Sequence, residues 1–224
     1  MSKPTIAILG GTGKEGGGLA FRWAHAGHPV VIGSRDAGKA LAAANALAGE
    51  LAGAGGDSDV RGVANLEAAS AAEIVVLAVP YAAQLSTIDE VKSALAGKIL
   101  IDVTVPLMPP KVDRVQLPAG GSAVQALQDR LGPGVRVVSA FQNISSTHLK
   151  KIGHDVDCDV LVCADDADAR ETVVHLAHAA GLRAWHAGPL ANSAAAEALT
   201  SVLIAINKRY KVPGSGIRIT GVPS

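Results

Sequence analysis

The sequence predicts an α/β fold in which a doubly wound parallel sheet is followed by a smaller α+β unit. Three observations carry this. Short apolar, β-branched runs alternate with helix-like segments through the first 143 residues, the pattern of repeated βαβ units with helices on both faces of a sheet. The run Thr5–Leu9 leads straight into a glycine-rich stretch, Leu9 to Gly18, in which six of ten residues are glycine. The chain has 224 residues and is 49% hydrophobic, enough for one sizeable core or a main core with a smaller companion.

Each element has its own signal. Thr5–Leu9 reads as a buried strand. Gly16–Ala26 reads as a helix, with Leu19 and Trp23 one turn apart and Gly27 to close it. Pro29–Ile32 is a second strand. Asp36 is suited to cap an alanine-rich helix reaching about Leu51, and Gly53–Asp59 is a flexible loop. Val60–Gly62 and Leu66–Ala72 are a short strand and a short helix. Ile74–Val79 is apolar throughout, as expected of a strand buried on both faces. A helix is expected over Ala82–Ala96, a strand over Lys98–Val103, a helix over Ser122–Leu131 and a strand over Val135–Phe141. The character then changes. Val160–Cys163, the helix Ala167–Ala180, the strand Arg183–Trp185, the long helix Ala191–Tyr210 and a Gly- and Pro-rich tail from Pro213 form the smaller unit. The expected division is therefore 1–143 and 144–224.

Composition excludes several classes. Twenty basic residues balance twenty acidic ones with no long basic run, which argues against nucleic acid as a partner. Aromatics are only 3%, too few to stack bases. The longest apolar runs, such as Ile74–Pro80, are too short to cross a bilayer, and nothing near Met1 reads as a signal peptide. Cys158 and Cys163 stand five apart on a strand-like segment and so point to opposite faces, which fits a reducing cytoplasm rather than a disulfide or metal clip. His175 and His178 lie three apart on a helix, but no third ligand is evident, and no metal is expected.

Gly11-Thr12-Gly13-Lys14-Glu15-Gly16 fits G-x-G-x-x-G and lies between a strand and a helix, the setting in which the motif binds a dinucleotide. Gly11 is expected to make the tight turn, Gly13 to let a pyrophosphate approach the backbone, and Gly16 to let helix and strand pack closely. The helix start then offers free N–H groups to the phosphates. This makes the fold Rossmann-type. NAD binders place an acid near the end of the second strand, whereas this chain reads Gly33-Ser34-Arg35 there. Arginine pairs a 2′-phosphate through two charge-assisted bonds, Ser34 and Thr12 can add hydroxyls, and Lys39 adds charge one turn on. The dinucleotide read from these residues is NADP.

The same stretches, with Glu73–Ala83, Val135–Phe141, Asp159–Ala169 and Ala187–Asn207, resemble the NADPH:coenzyme F420 oxidoreductases over most of the chain. More distantly they resemble the reductase module of the STEAP metalloreductases and the pyrroline-5-carboxylate reductases. The resemblance implies direct hydride transfer between NADP(H) and coenzyme F420, with the cofactors doing the chemistry and no catalytic side chain required. It also implies that Val79, Pro80 and Tyr81 border the nicotinamide half of the cofactor. From Ala140 onward the chain is expected to line the deazaflavin pocket, through Phe141, Gln142, Asn143 and Ile144. Ser193 is expected to join them at the start of the last helix. The family carries a His, a Thr and a Pro in this region, whereas this chain reads Phe141-Gln142-Asn143-Ile144-Ser145. Other readings remain open from the residues alone: a flavin-like acceptor, a small carbonyl or imine with Tyr81 as proton donor, or an NADPH-binding sensor without turnover. The last helix is apolar round most of its circumference, which predicts a homodimer.

Overall fold

The computed structural model describes residues 3–55, 59–151, 153 and 156–222. Its main sheet holds six parallel strands: β1 (Ile6–Leu9), β2 (Val30–Ser34), β3 (Val60–Ala64), β4 (Ile74–Leu77), β5 (Ile99–Asp102) and β6 (Arg136–Ser139). Their spatial order is 3-2-1-4-5-6. Ile6 pairs with Val30 on one side and Ile74 on the other, so the order reverses beside β1 and opens a crevice at the carboxyl ends of β1 and β4. Alternate residues of each strand feed opposite layers. Ile6, Ile8, Ile32 and Val76 belong to one apolar cluster, and Ala7, Leu9, Val31, Val75 and Leu77 to the other.

The connecting helices are α1 (Lys14–His25), α2 (Ala37–Gly53), α3 (Asn65–Ala71), α4 (Gln84–Val91) and α5 (Ala123–Leu131). The expected cap at Asp36 is present: its carboxylate accepts from the Lys39 amide at 3.1 Å. Of the loop expected at Gly53–Asp59, Gly56, Asp57 and Ser58 lie outside the described residues, as do Pro223 and Ser224 of the tail.

Beyond β6 come α6 (Ser146–Leu149), β7 (Asp159–Val162), α7 (Ala167–Ala179), β8 (Arg183–His186) and α8 (Ser193–Tyr210). β7 and β8 pair in parallel. Ser139 and Cys163 exchange two backbone hydrogen bonds, 2.9 and 3.0 Å, which joins β7 antiparallel to the end of β6. One apolar cluster therefore runs from Ile6 and Trp23 through to Val160, Val173 and Ala184, and Trp23 packs edge-on against Phe141 at 5.6 Å. Buried Arg22 ties the halves together. Its guanidinium donates to the carbonyls of Leu149 (2.6 Å), Ala180 (2.7 Å), Lys151 (3.1 Å) and His148 (3.2 Å). Asp159 gathers the tail in the same way, accepting from Arg183, Trp185 and the Ile219 amide. Both cysteines are free and buried.

Some boundaries differ from expectation. α1 begins at Lys14 rather than Gly16, because Gly13 already serves as its N-cap. The helix expected over Ala82–Ala96 is α4 flanked by 3-10 turns at Tyr81–Ala83 and Lys92–Ala94. β4 ends at Leu77, and Ala78 to Pro80 curl over the glycine turn. β6 ends at Ser139 instead of Phe141, whose φ of +73° turns the chain inward. α8 is the one helix among the described residues that is long and apolar enough, with its 3-10 lead-in from Leu190, to cross a membrane by length and composition. The expectation that no run reaches that length is corrected to this extent. Its inward face carries Ser193, Ala196, Glu197, Ser201 and Leu203, while Val202 and Ile206 remain exposed.

Candidate functional site

The turn from β1 into α1 is shaped by two close approaches. Gly10 takes φ +84°, and a Cβ there would lie 2.3 Å from the Ala78 carbonyl oxygen. A Cβ on Gly16 would lie 2.7 Å from the Gly10 carbonyl oxygen and 3.1 Å from Ala78 Cβ. The tight turn expected of Gly11 thus belongs to Gly10. Gly11 is buried, with Ile32 Cγ2 at 3.0 Å from where its Cβ would be. Gly16 has the packing role expected of it. The first-turn amides of α1 have no intrahelical partner and stand over the crevice.

Two cavities meet at this turn. The smaller, about 200 Å³, is lined by Gly10, Thr12, Gly13, Ser34, Arg35, Asn65, Ala78, Val79, Pro80, Ala83 and Thr87. The larger, about 580 Å³, falls within the size range of ligand pockets. Gly13, Ala78, Val79 and Pro80 line both. The larger cavity extends past Lys14, Glu15 and Tyr81 to Thr104, Leu107, Gln142, Asn143 and Ile144, and is closed by Thr200, Leu203, Ile204 and Asn207 of α8.

Comparison with known proteins gives the same picture. Residues 5–106 match the family described as NADP oxidoreductase, coenzyme F420-dependent. The F420-dependent NADP reductase of Methanothermobacter marburgensis is 44% identical over 223 residues, covering 97% of this chain and 99% of that one. The chain belongs to the F420-dependent NADP reductase family. The crystal structure of a putative F420-dependent NADP-reductase from Arthrobacter sp. FB24 superposes with a TM-score of 0.80 at 28% identity, covering 97% of this chain and 99% of that one. The rat metalloreductase STEAP3 is 30% identical over 94% of this chain but 38% of its own length.

For a member of the F420-dependent NADP reductase family, the residues present suit a dinucleotide. Ser34 Oγ accepts from the Asp36 amide at 3.2 Å, which leaves its own proton free to donate into the smaller cavity. Arg35 is exposed and in no ion pair among the described residues. Asn65 lines the same cavity and is buried, yet its Oδ1 has no partner among the described residues. In the larger cavity, Thr104 Oγ1 and Gln142 Oε1 are likewise buried without partners among the described residues. Such atoms cost free energy unless a ligand or water satisfies them.

Of the sequence-predicted residues, Thr12, Gly13, Lys14, Glu15, Ser34, Arg35, Val79, Pro80, Tyr81, Gln142, Asn143 and Ile144 are brought to the cavities. Ala140 and Phe141 are not; they lie in the core, Phe141 against Trp23. Ser193 is not either. It is fully buried, with its hydroxyl 2.6 Å from Ser122 Oγ. Lys39 is exposed on α2 and lines neither cavity. Asn65, Thr87, Thr104, Thr200, Leu203, Ile204 and Asn207 were not read from the sequence. Thr104 and Asn65 follow the ends of β5 and β3, a position relative to the strands that is itself a usable signal.

Hydrogen bonds hold the larger cavity's walls together. Asn143 Nδ2 donates to the Ala196 carbonyl at 2.8 Å and Thr200 Oγ1 donates to the Gln142 carbonyl at 2.9 Å, which fixes the end of β6 against α8. Gln142 Nε2 donates to the Asp102 carbonyl at 2.8 Å. Burial pushes the Asp102 carboxyl up to about 6, opposed by donation from the Thr104 amide (2.8 Å) and Gln84 Nε2 (2.6 Å). Glu197 reaches from α8 to cap α5, accepting from Ser122 Oγ (2.6 Å) and the amides of Ala123 (2.8 Å) and Val124 (3.2 Å). Burial still raises its pKa. Glu15 is half-buried, and desolvation pushes its carboxyl up to about 8. Among the described residues no group of three or more His, Cys, Asp or Glu is placed to hold a metal ion.

Proposed function

We propose that this protein transfers a hydride between NADP(H) and coenzyme F420. The observation that carries the reading is the pair of cavities joined across Gly13, one ending in Ser34 and Arg35 and the other walled by Val79, Pro80, Leu107, Ile144, Leu203 and Ile204. A dinucleotide lying along them meets a cation and hydroxyls at the adenosine end, helix amides at the pyrophosphate, and an apolar chamber at the nicotinamide. NADPH supplies the hydride, and the acceptor takes it when the two rings are held face to face. The chain's part is to bind, orient and exclude water. Arg35 and Ser34 hold the 2′-phosphate, Val79 and Pro80 back the nicotinamide, and Thr104 and Gln142 offer their unpartnered oxygens to its amide. Ile144, with the α8 residues, forms the acceptor's side of the chamber. Transfer needs the reacting carbons about 3–3.5 Å apart, which a chamber with rigid walls favours.

The two halves of the chain take separate parts in this reading: 1–143 binds the dinucleotide, while 144–224 closes the acceptor site and forms the subunit contact. α8 supports a homodimer. Val202, Ile206 and Tyr210 are 44%, 37% and 71% exposed, although the polar Ser193, Glu197 and Ser201 of the same helix are buried. Free buried cysteines suit a cytoplasmic enzyme. The test is to mix the protein with NADPH and oxidised F420 and follow the loss of deazaflavin absorbance, then repeat with FMN and with the Ile144→Trp variant. Turnover with F420 that the variant slows without loss of NADPH binding supports the proposal. Turnover with FMN alone rejects F420 as acceptor. No turnover with either, despite NADPH binding, favours the small-carbonyl reading that Tyr81 in the same chamber would serve, or an NADPH-binding sensor without turnover.

A further inference from the structure

The larger cavity is nearly free of charge. Its lining contains one carboxylate, Glu15, and one cation, Lys14, which is exposed at the rim. Glu15 sits in the first turn of α1, two residues past Gly13. Gly13 lines both cavities, whereas Glu15 lines only the larger one. In the NADP reading that puts Glu15 on the nicotinamide side of the crossing point rather than beside the 2′-phosphate. Glu15 is in no ion pair among the described residues. The groups that face it from other elements are few. Tyr81 comes from the turn after β4, and the 103–112 loop, Ser145, Ser146 and α8 contribute neutral residues to the lining. His148 of α6, the helix packed against α1, turns to the Gly214 carbonyl at 3.3 Å and lines the neighbouring cavity beside Cys158 instead. Asp102 lies buried beneath Thr104, and Asp113 is already paired with Lys208 at 2.8 Å.

Resting on the NADP reading, we propose that Glu15 sets the preference of the site between the oxidised and reduced nucleotide. The nicotinamide ring is cationic in NADP+ and neutral in NADPH. An ionised carboxyl in a poorly solvated chamber stabilises the first over the second, and a protonated one does not. The reverse follows by linkage: NADP+ lowers the Glu15 pKa relative to the NADPH complex. The NADP+ to NADPH affinity ratio therefore rises with pH as Glu15 ionises. Its carboxyl, raised to about 8 by burial in the free protein, puts that change near and above neutral pH. The 2′-phosphate is common to both nucleotides, so its own titration cancels in the ratio. Burial pushes the Asp102 carboxyl up only to about 6, so it is ionised over most of this window.

The experiment is calorimetric binding of NADP+ and of NADPH, without acceptor, from pH 6.5 to 9.5, for wild type and Glu15→Gln. A coupling of one pKa unit changes the ratio about tenfold, equivalent to lowering the bound couple's potential by about 30 mV. Wild type is expected to show this rise and Glu15→Gln a ratio that stays flat with pH. As a check that needs no folded variant, wild-type binding is repeated at pH 8 in buffers of different ionisation enthalpy. NADP+ binding is expected to release more protons than NADPH binding. A flat wild-type ratio, an equal rise in Glu15→Gln, or equal proton release overturns the proposal. If neither nucleotide binds wild type at any pH, the NADP reading falls and takes this one with it.

Discussion

Replacing Arg35 by alanine tests the dinucleotide reading at its most specific point. The guanidinium lines the smaller cavity and has no carboxylate partner among the described residues. Asp36, the nearest acid in sequence, has its carboxylate engaged by the Lys39 amide as the helix cap. A hydrogen bond to a charged group contributes about 1.5–3 kcal/mol. The loss of NADPH affinity in Arg35→Ala is therefore expected to be about 10- to 150-fold. Arg35 is exposed, so salt screens the interaction and the loss lies toward the lower end at high ionic strength. NADH carries no 2′-phosphate and its affinity should stay nearly unchanged. Calorimetric titration of both nucleotides into wild type and variant, at two salt concentrations, measures this directly. Equal wild-type affinities for NADPH and NADH, or an equal loss of both in the variant, would refute the reasoning.

Three further outcomes are expected. Glu197→Ala leaves the first amides of α5 and the Ser122 hydroxyl without their acceptor and should lower stability by about 2–4 kcal/mol; a denaturant midpoint matching wild type contradicts the capping role. The Asp102 carboxyl is raised in the fold to about 6 from an ordinary 3.8, so the folded state holds its proton more tightly than the unfolded one. Stability from this group is full below about pH 4 and is lost as pH rises through about 6, by about 2–3 kcal/mol; Asp102→Asn should remove that fall, and parallel stability–pH curves for wild type and variant count against it. Val202→Glu puts a charge on the exposed face of α8 and should halve the mass seen by light scattering without lowering the melting temperature of the isolated subunit, whereas a wild-type monomer at micromolar concentration removes the homodimer reading.

The residues legible in the sequence are those whose role depends on near neighbours. Gly13 and Gly16, the Asp36 cap and the sequence Ser34-Arg35 at the end of β2 act through turn geometry, helix ends and strand ends. A few consecutive residues determine all of these. Alternation and β-branching likewise made the strands readable, with errors of one or two residues where a cap or a positive φ intervened, as at Gly13 and Phe141. What tertiary structure decided was which distant residues share a space. Thr104 and Thr200 wall one cavity although they lie 96 positions apart, and that follows from how α8 packs across the ends of β5 and β6. The inward face of α8 was equally beyond sequence reasoning. Its apolar side chains suggested burial all round, but Glu197 and Ser193 meet Ser122 and the open end of α5, whose amides need acceptors out of water. Local pattern says that a residue is apolar or polar, whereas the free energy of placing it inside depends on the partners that packing brings to it.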